Sequence, residues 1–144
     1  MKNMKLLGLI GLSIFISSLT VWAGDFDGSR PLLFSVISVM ECAPDSGCRA
    51  VTTDSVGLPQ FLKIDLNKKT IGPVSESDTR PDSVIERMER VDGKLILQGA
   101  EDGYESVRDG LGWTIAITEG TGKVVMTASG DQVAFVVFGA CLPL

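Results

Sequence analysis

From Pro59 to the carboxyl end the chain places apolar residues at every second position, then breaks each run with a turn signal. Period-two alternation sends successive side chains to opposite faces of a strand, so such a chain must build a sheet with one apolar face to bury. Leu62, Ile64 and Leu66 alternate with Lys63 and Asp65, and Asn67-Lys68-Lys69 forms a turn before a short strand at Thr70 to Gly72. Polar residues and Pro81 make Pro73 to Ser83 an exposed loop that Gly72-Pro73 opens.

Val84 to Val91 and Lys94 to Gly99 flank Asp92-Gly93, the pair that supplies the positive φ angles of a type I′ hairpin turn. A helix over Ser83 to Val91 competes, with Ser83 and Glu86 as a capping box and Val84, Ile85, Met88 and Val91 at helical spacing. The strand is preferred, because Leu95-Ile96-Leu97 needs a pairing partner and a two-residue turn offers one.

After an acidic, Gly-rich stretch from Glu101 to Gly112, with at most one helical turn at Tyr104 to Asp109, a meander of three strands follows. Trp113, Ile115 and Ile117 alternate with Thr114, Ala116 and Thr118; Lys123 to Ala128 and Gln132 to Cys141 come after Gly-containing turns. Val133 to Ala140 is apolar at both parities, which predicts a strand covered on both sides or central in a closed sheet. Leu32 to Cys42 suits a helix by Pro31 and Ser29 and a strand by Phe34, Val36, Ile37 and Val39, and it is read as a strand.

With a further short strand after Cys48, seven to nine strands result, and no 20- to 50-residue repeat or linker divides them. The expected fold is all-β: a small antiparallel β-barrel, lipocalin-like or an up-and-down meander, or else a sandwich. The barrel is preferred because closure removes exposed edges.

Ahead of this domain, Lys2 and Lys5 precede an apolar run from Leu6 to Trp22 that ends in Val21-Trp22-Ala23. A basic start, an apolar core and small residues at minus three and minus one predict a Sec-type signal peptide over residues 1–23, cleaved after Ala23. The competing reading is an uncleaved anchor helix, for which the run is at the short end. No twin Arg precedes the run and no Cys follows the cleavage position to take a lipid, so general secretion without an acyl anchor is expected, with no stable membrane anchor in the mature form. The expected location is the periplasm, with full secretion second. Residues 24–144 form one domain of 121 residues with 11 basic and 18 acidic side chains, a net charge of −7. That balance opposes nucleic acid and anionic membrane surfaces and leaves a cationic partner or a neutral ligand.

An oxidising compartment lets disulfides persist. Cys42 and Cys48 flank Ala43-Pro44-Asp45-Ser46-Gly47, a turn-forming insert that predicts a local bridge. Cys141 is left as a free thiol, read as a buried, inert core residue rather than a reactive one.

Histidine is absent, which closes the Ser/His/Asp triad, the Cys/His dyad and the HExxH zinc helix. No SxxK is present for a serine–lysine pair, and neither Gly110-Leu111-Gly112 nor Gly120-Thr121-Gly122 leads into a phosphate-binding helix. Asp25-Phe26-Asp27-Gly28 starts like a calcium loop, but Val36 stands where the twelfth-position Glu belongs. Glu101, Asp102, Glu105 and Asp109 are the densest acidic group, a candidate calcium or carboxylate-hydrolase site whose simpler reading is a solvated loop with a Glu105–Arg108 pair. Trp113 beside Gly112 is a candidate ligand-stacking platform, though such a Trp is more often core. No cofactor or metal is implied.

The segments Phe26-Asp27-Gly28-Ser29, Glu89 to Gly99 (ERVDGKLILQG), Gly112-Trp113 and Phe138-Gly139-Ala140-Cys141 resemble an uncharacterised family of short secreted (periplasmic) proteobacterial proteins. The likeness covers most of the mature chain and implies an exported location. It also implies that a cysteine near the place of Phe34 pairs with the terminal one; this chain departs from that pattern, so Phe34 and Cys141 should be neighbours in space.

The functional expectation is a monomeric, non-catalytic binding or interaction module for an unknown protein or a small apolar ligand. The alternatives are an inhibitor of a cationic hydrolase such as lysozyme, or a hydrolase working with carboxylates alone.

Overall fold

The computed structural model describes residues 26–144 apart from 76, 104, 105 and 108. The expected signal peptide, Asp25, and the Tyr104, Glu105 and Arg108 parts of the acidic loop lie outside the described residues. Ten strands follow in order: β1 (Leu32–Ala43), β2 (Gly47–Val51), β3 (Phe61–Asp65), β4 (Thr70–Pro73), β5 (Ser83–Val84), β6 (Arg87–Val91), β7 (Lys94–Glu101), β8 (Leu111–Thr118), β9 (Lys123–Ser129) and β10 (Ala134–Pro143). The helical content of the described residues is one 3-10 turn, Asp54–Val56. Both segments with a competing helical reading are strands.

Nine strands pair in the order β5-β4-β3-β1-β10-β9-β8-β7-β6, all antiparallel, and curl into a half-barrel; β2 pairs with the upper part of β1. The two ends of this path are consecutive in the chain. Ile85 donates its amide to the Lys69 carbonyl on the β4 side at 2.8 Å, and Glu86 donates to the Gln98 carbonyl of β7 at 2.8 Å. Glu86 and Arg87 thus both meet Gln98, the two-against-one arrangement of a β-bulge, which bends the strand as it changes partner. The single strand expected over Val84 to Val91 is split there, and covalent continuity through Ile85 and Glu86 joins the sheet's ends where a further ladder would close a barrel.

Local chemistry places the turns. Asp92 (φ 48°) and Gly93 (φ 71°) are both left-handed, as a type I′ turn requires. In the β3–β4 turn the Asp65 carboxylate accepts the Lys68 amide at 3.0 Å, and Lys69 is left-handed (φ 55°). Ile37 bulges out of β1 between Val36 and Ser38, which resets parity so that Val36 and Val39 both point inward.

The inward rows meet in one core, with Leu32, Phe34, Ile64, Leu95, Leu97, Ile115 and Ile117 wholly covered. Side chains of this kind are worth about 1.5–3 kcal/mol each when taken fully out of water. Two aromatic residues shut the ends. Phe26 is buried at one end, where the Arg90 guanidinium binds its carbonyl at 2.6 Å. Trp113 is buried at the other, and its indole Nε1–H donates to Ser83 Oγ at 3.0 Å.

Of the two readings of this strand, β10 takes the central place, between β1 and β9, in a sheet that is curled but not closed by a ladder, and it is not covered on both faces: Phe138 and Leu142 on the outer face are exposed. Its second apolar face therefore needs an explanation other than burial within the chain.

Trp113 fits only because its cross-strand partner is a glycine. A Cβ on Gly99 would stand 2.4 Å from Trp113 Cζ2 and 2.4 Å from the Val84 carbonyl oxygen. Gly99→Ala is expected to cost about 1–3 kcal/mol through overpacking, read as a lower urea midpoint at unchanged slope; an unaltered midpoint would show that this end is loosely packed.

Candidate functional site: carboxylate-bearing loops at one end

The antiparallel meander sorts its connections between two ends. The β1–β2 hairpin, the β2–β3 connection, the β4–β5 loop, the β7–β8 loop and the β9–β10 turn share the Trp113 end; the other turns and Phe26 share the opposite end. Contacts tie the first group together. Arg80 of the β4–β5 loop binds the Gly57 carbonyl through Nη1 and Asp78 through its guanidinium. A Cβ on Gly130 in the β9–β10 turn would lie 3.5 Å from the Gly110 carbonyl oxygen of the β7–β8 loop.

Charge is sorted with the loops. Exposed Asp45, Asp54, Asp82, Glu101, Asp102, Asp109 and Asp131 all sit in or beside the Trp113-end connections, with Arg49, Arg80 and Arg87 among the described cations nearby. Exposed Arg30, Lys68, Lys69, Arg90, Lys94 and Lys123 gather toward the Phe26 end, where they outnumber the exposed carboxylates Asp27 and Asp92. The molecule is therefore electrically polar along its axis, a property that no single loop shows.

Of the residues singled out in the sequence, Glu101, Asp102 and Asp109 do come together at the neck of the β7–β8 loop: a Cβ on Gly110 would lie 2.9 Å from the Glu101 carbonyl oxygen and 3.8 Å from Asp102 Cα. Glu105 lies outside the described residues. Among the described residues no three His, Cys, Asp or Glu side chains converge as metal ligands. Trp113 stands apart from these carboxylates as a stacking group, because its 4% exposure leaves no open ring face. It is the floor beneath the loops.

Arg80 is the organising residue that sequence reading passed over. Its hydrogen bonds, followed by smaller electrostatic effects, hold the half-buried Asp78 carboxyl down at about 2, and Asp78 with Glu101 favours the charged guanidinium. The signal available was Asp78-Thr79-Arg80 itself, a carboxylate and a guanidinium two residues apart in a loop.

Two shallow, open hollows lie on the surface of the described residues. One, of about 370 Å³, lies over Gly112 between Gln98, Thr114, Thr127 and Ser129; the other, of about 300 Å³, lies beside the bend between Lys69 and Met88.

The cysteines divide as their spacing suggests. Cys42 and Cys48 are cross-strand partners joined by a disulfide at the exposed tip of the β1–β2 hairpin. Cys141 is buried and free, directly opposite Phe34 in the β1–β10 ladder. Burial pushes its thiol up to about 12.

A scan against protein-family models, a search of the curated proteins and a search of the solved structures each return no match for this chain. The fold and the site therefore rest on the chain's own geometry. They define a class: a small antiparallel half-barrel with a side-chain-filled interior and an acidic loop end.

Two outcomes are expected. Cys141 should resist alkylation at pH 8 in the folded protein and react at once in denaturant, since the thiolate is the nucleophile and burial disfavours it; rapid native labelling would contradict the packing. For Asp78, the depressed folded-state value means that its pairing with Arg80 is intact above the ordinary carboxylate range and is lost as pH falls through about 2. A carboxyl titration followed by NMR should place the inflection there and above it in Arg80→Ala.

Proposed function

We propose that the protein is an exported, non-catalytic interaction module that recognises a basic protein partner through the loops at the Trp113 end of the half-barrel. The carrying observation is the separation of charge along the axis, with seven exposed carboxylates on the connections of one end. Such a surface steers association with a cationic partner and accelerates encounter more than it deepens affinity. The filled interior supports protein recognition over capture of a small apolar ligand, which ordinarily occupies a concave, mostly apolar cavity. Export is supported by the basic start, the apolar run and Val21-Trp22-Ala23, and the Cys42–Cys48 bridge suits an oxidising compartment.

One specific reading within this class is an inhibitor of a cationic hydrolase such as lysozyme. It is favoured by the β1–β2 hairpin, which the disulfide clips into a rigid, exposed projection on the acidic end. A clipped hairpin loses little freedom on docking.

Titration calorimetry against a basic lysozyme tests both. Binding should weaken at least tenfold between about 0.02 and 0.2 M salt, as screening of exposed charges demands. The combined change Asp82→Asn, Glu101→Gln, Asp102→Asn should slow association with little effect on folding. Salt-independent binding, or binding unaffected by the triple change, rejects the acidic end as the recognition surface; binding without loss of hydrolase activity rejects the inhibitor reading alone.

A further inference from the structure

The outer face of the half-barrel carries a feature that the acidic loops do not use. Cross-strand registers align Ser38 and the bulged Ile37 of β1 with Phe138 of β10, Val125 of β9, Ala116 of β8 and Ile96 of β7. This row is an apolar belt across five neighbouring strands, all of its side chains pointing away from the core. Phe61 and Leu142 flank it on β3 and β10. The five large members, Ile37, Phe61, Val125, Phe138 and Leu142, are 41–73% exposed.

The charges next to it are one-sided. On the Trp113 side the adjoining row is Met40, Val136, Thr127, Thr114 and Gln98; on the other it is Ser35, Ala140, Lys123, Thr118 and Lys94. Carboxylates are missing from all three rows between β1 and β7. In a chain of net charge −5, most faces would meet their own copy through like charges. This face would not.

We propose that the belt is the contact surface of a two-fold homodimer in which the outer faces of β8, β9, β10, β1 and the adjoining start of β3 pack on the same strands of a second copy. Apart from its two bordering lysines, an uncharged apolar face is complementary to itself, which an isologous contact requires. The area suffices: an aromatic side chain buries about 150–250 Å² when fully covered, so two half-exposed Phe with Ile37, Val125 and Leu142 offer on the order of 500 Å² per copy. Doubled, this reaches the roughly 1,000 Å² that separates specific interfaces from incidental ones. Aligned sheet faces pack about 10 Å apart with interdigitated side chains, and the bulge that throws Ile37 outward supplies a knob for that purpose. The expected monomer gives way to a dimer on this reading, and the acidic loops, at the end of the barrel, remain open on both copies. The dimer is thus independent of the basic-partner reading.

Sedimentation velocity on protein purified after expression of the full chain tests it, over about 1–200 μM, the range in which an interface of this size dissociates. A concentration-dependent dimer is expected. Phe138→Glu and Val125→Glu, whose side chains leave the core untouched, should each weaken it more than tenfold with an unchanged unfolding midpoint, whereas Met88→Glu, exposed on β6, should not. A wild-type protein that stays monomeric to 200 μM overturns the proposal, even if it then binds neutral phosphatidylcholine vesicles through the belt. A dimer that survives both substitutions overturns it as well.

Discussion

The ladder between β1 and β10 is the contact on which the architecture depends. The other main-path pairings join strands that are neighbours in sequence or separated only by the β2 excursion, whereas this one joins the first and last strands of the domain, from Leu32↔Pro143 to Cys42↔Ala134. Without it the path would divide into two separate sheets, β5-β4-β3-β1 and β10-β9-β8-β7-β6, joined only through Ile85 and Glu86. Its cost is the entropy of bringing together residues about a hundred positions apart, which rises only slowly with loop length but delays folding. What offsets that cost is packing at the joint: the Phe34 ring lies over Gly139, where a Cβ would stand 2.5 Å from Phe34 Cε2.

The opposite seam is handled differently. Between β4 and β7 the chain passes directly from one sheet end to the other at Ile85 and Glu86, with a bulge that turns Ile85 into the core and leaves every residue of β6 exposed. Arg87, Glu89 and Arg90 on that strand are the kind of charged edge that discourages pairing with other chains. Arg90 reaches Phe26 and Glu119 and so fastens β6 to the plugged end. One seam is closed by apolar packing and the other by covalent continuity and charge.

The fold creates two dissimilar outer surfaces. The loops at one end gather carboxylates over a scaffold of Arg80 and Trp113; the side wall carries an apolar belt bordered by lysines.

Strand positions, inward faces, the Asp92-Gly93 turn and the Cys42–Cys48 bridge were legible in the amino-acid order, because alternation, left-handed turns and a six-residue cysteine spacing are local properties. Glu101, Asp102 and Asp109 were legible as an acidic cluster for the same reason, as was Trp113 as more core than platform. Four things waited for the tertiary structure: the break at Ile85, the role of Arg80, the alignment of Phe138 with Val125 and Ile37, and the assembly of carboxylates from separate loops at one end. The two-sided apolarity of Val133 to Ala140 shows why. A strand's sequence reveals that both its faces are apolar, but whether the second face is covered depends on partners brought in by pairings distant in the chain, and those are fixed by global packing.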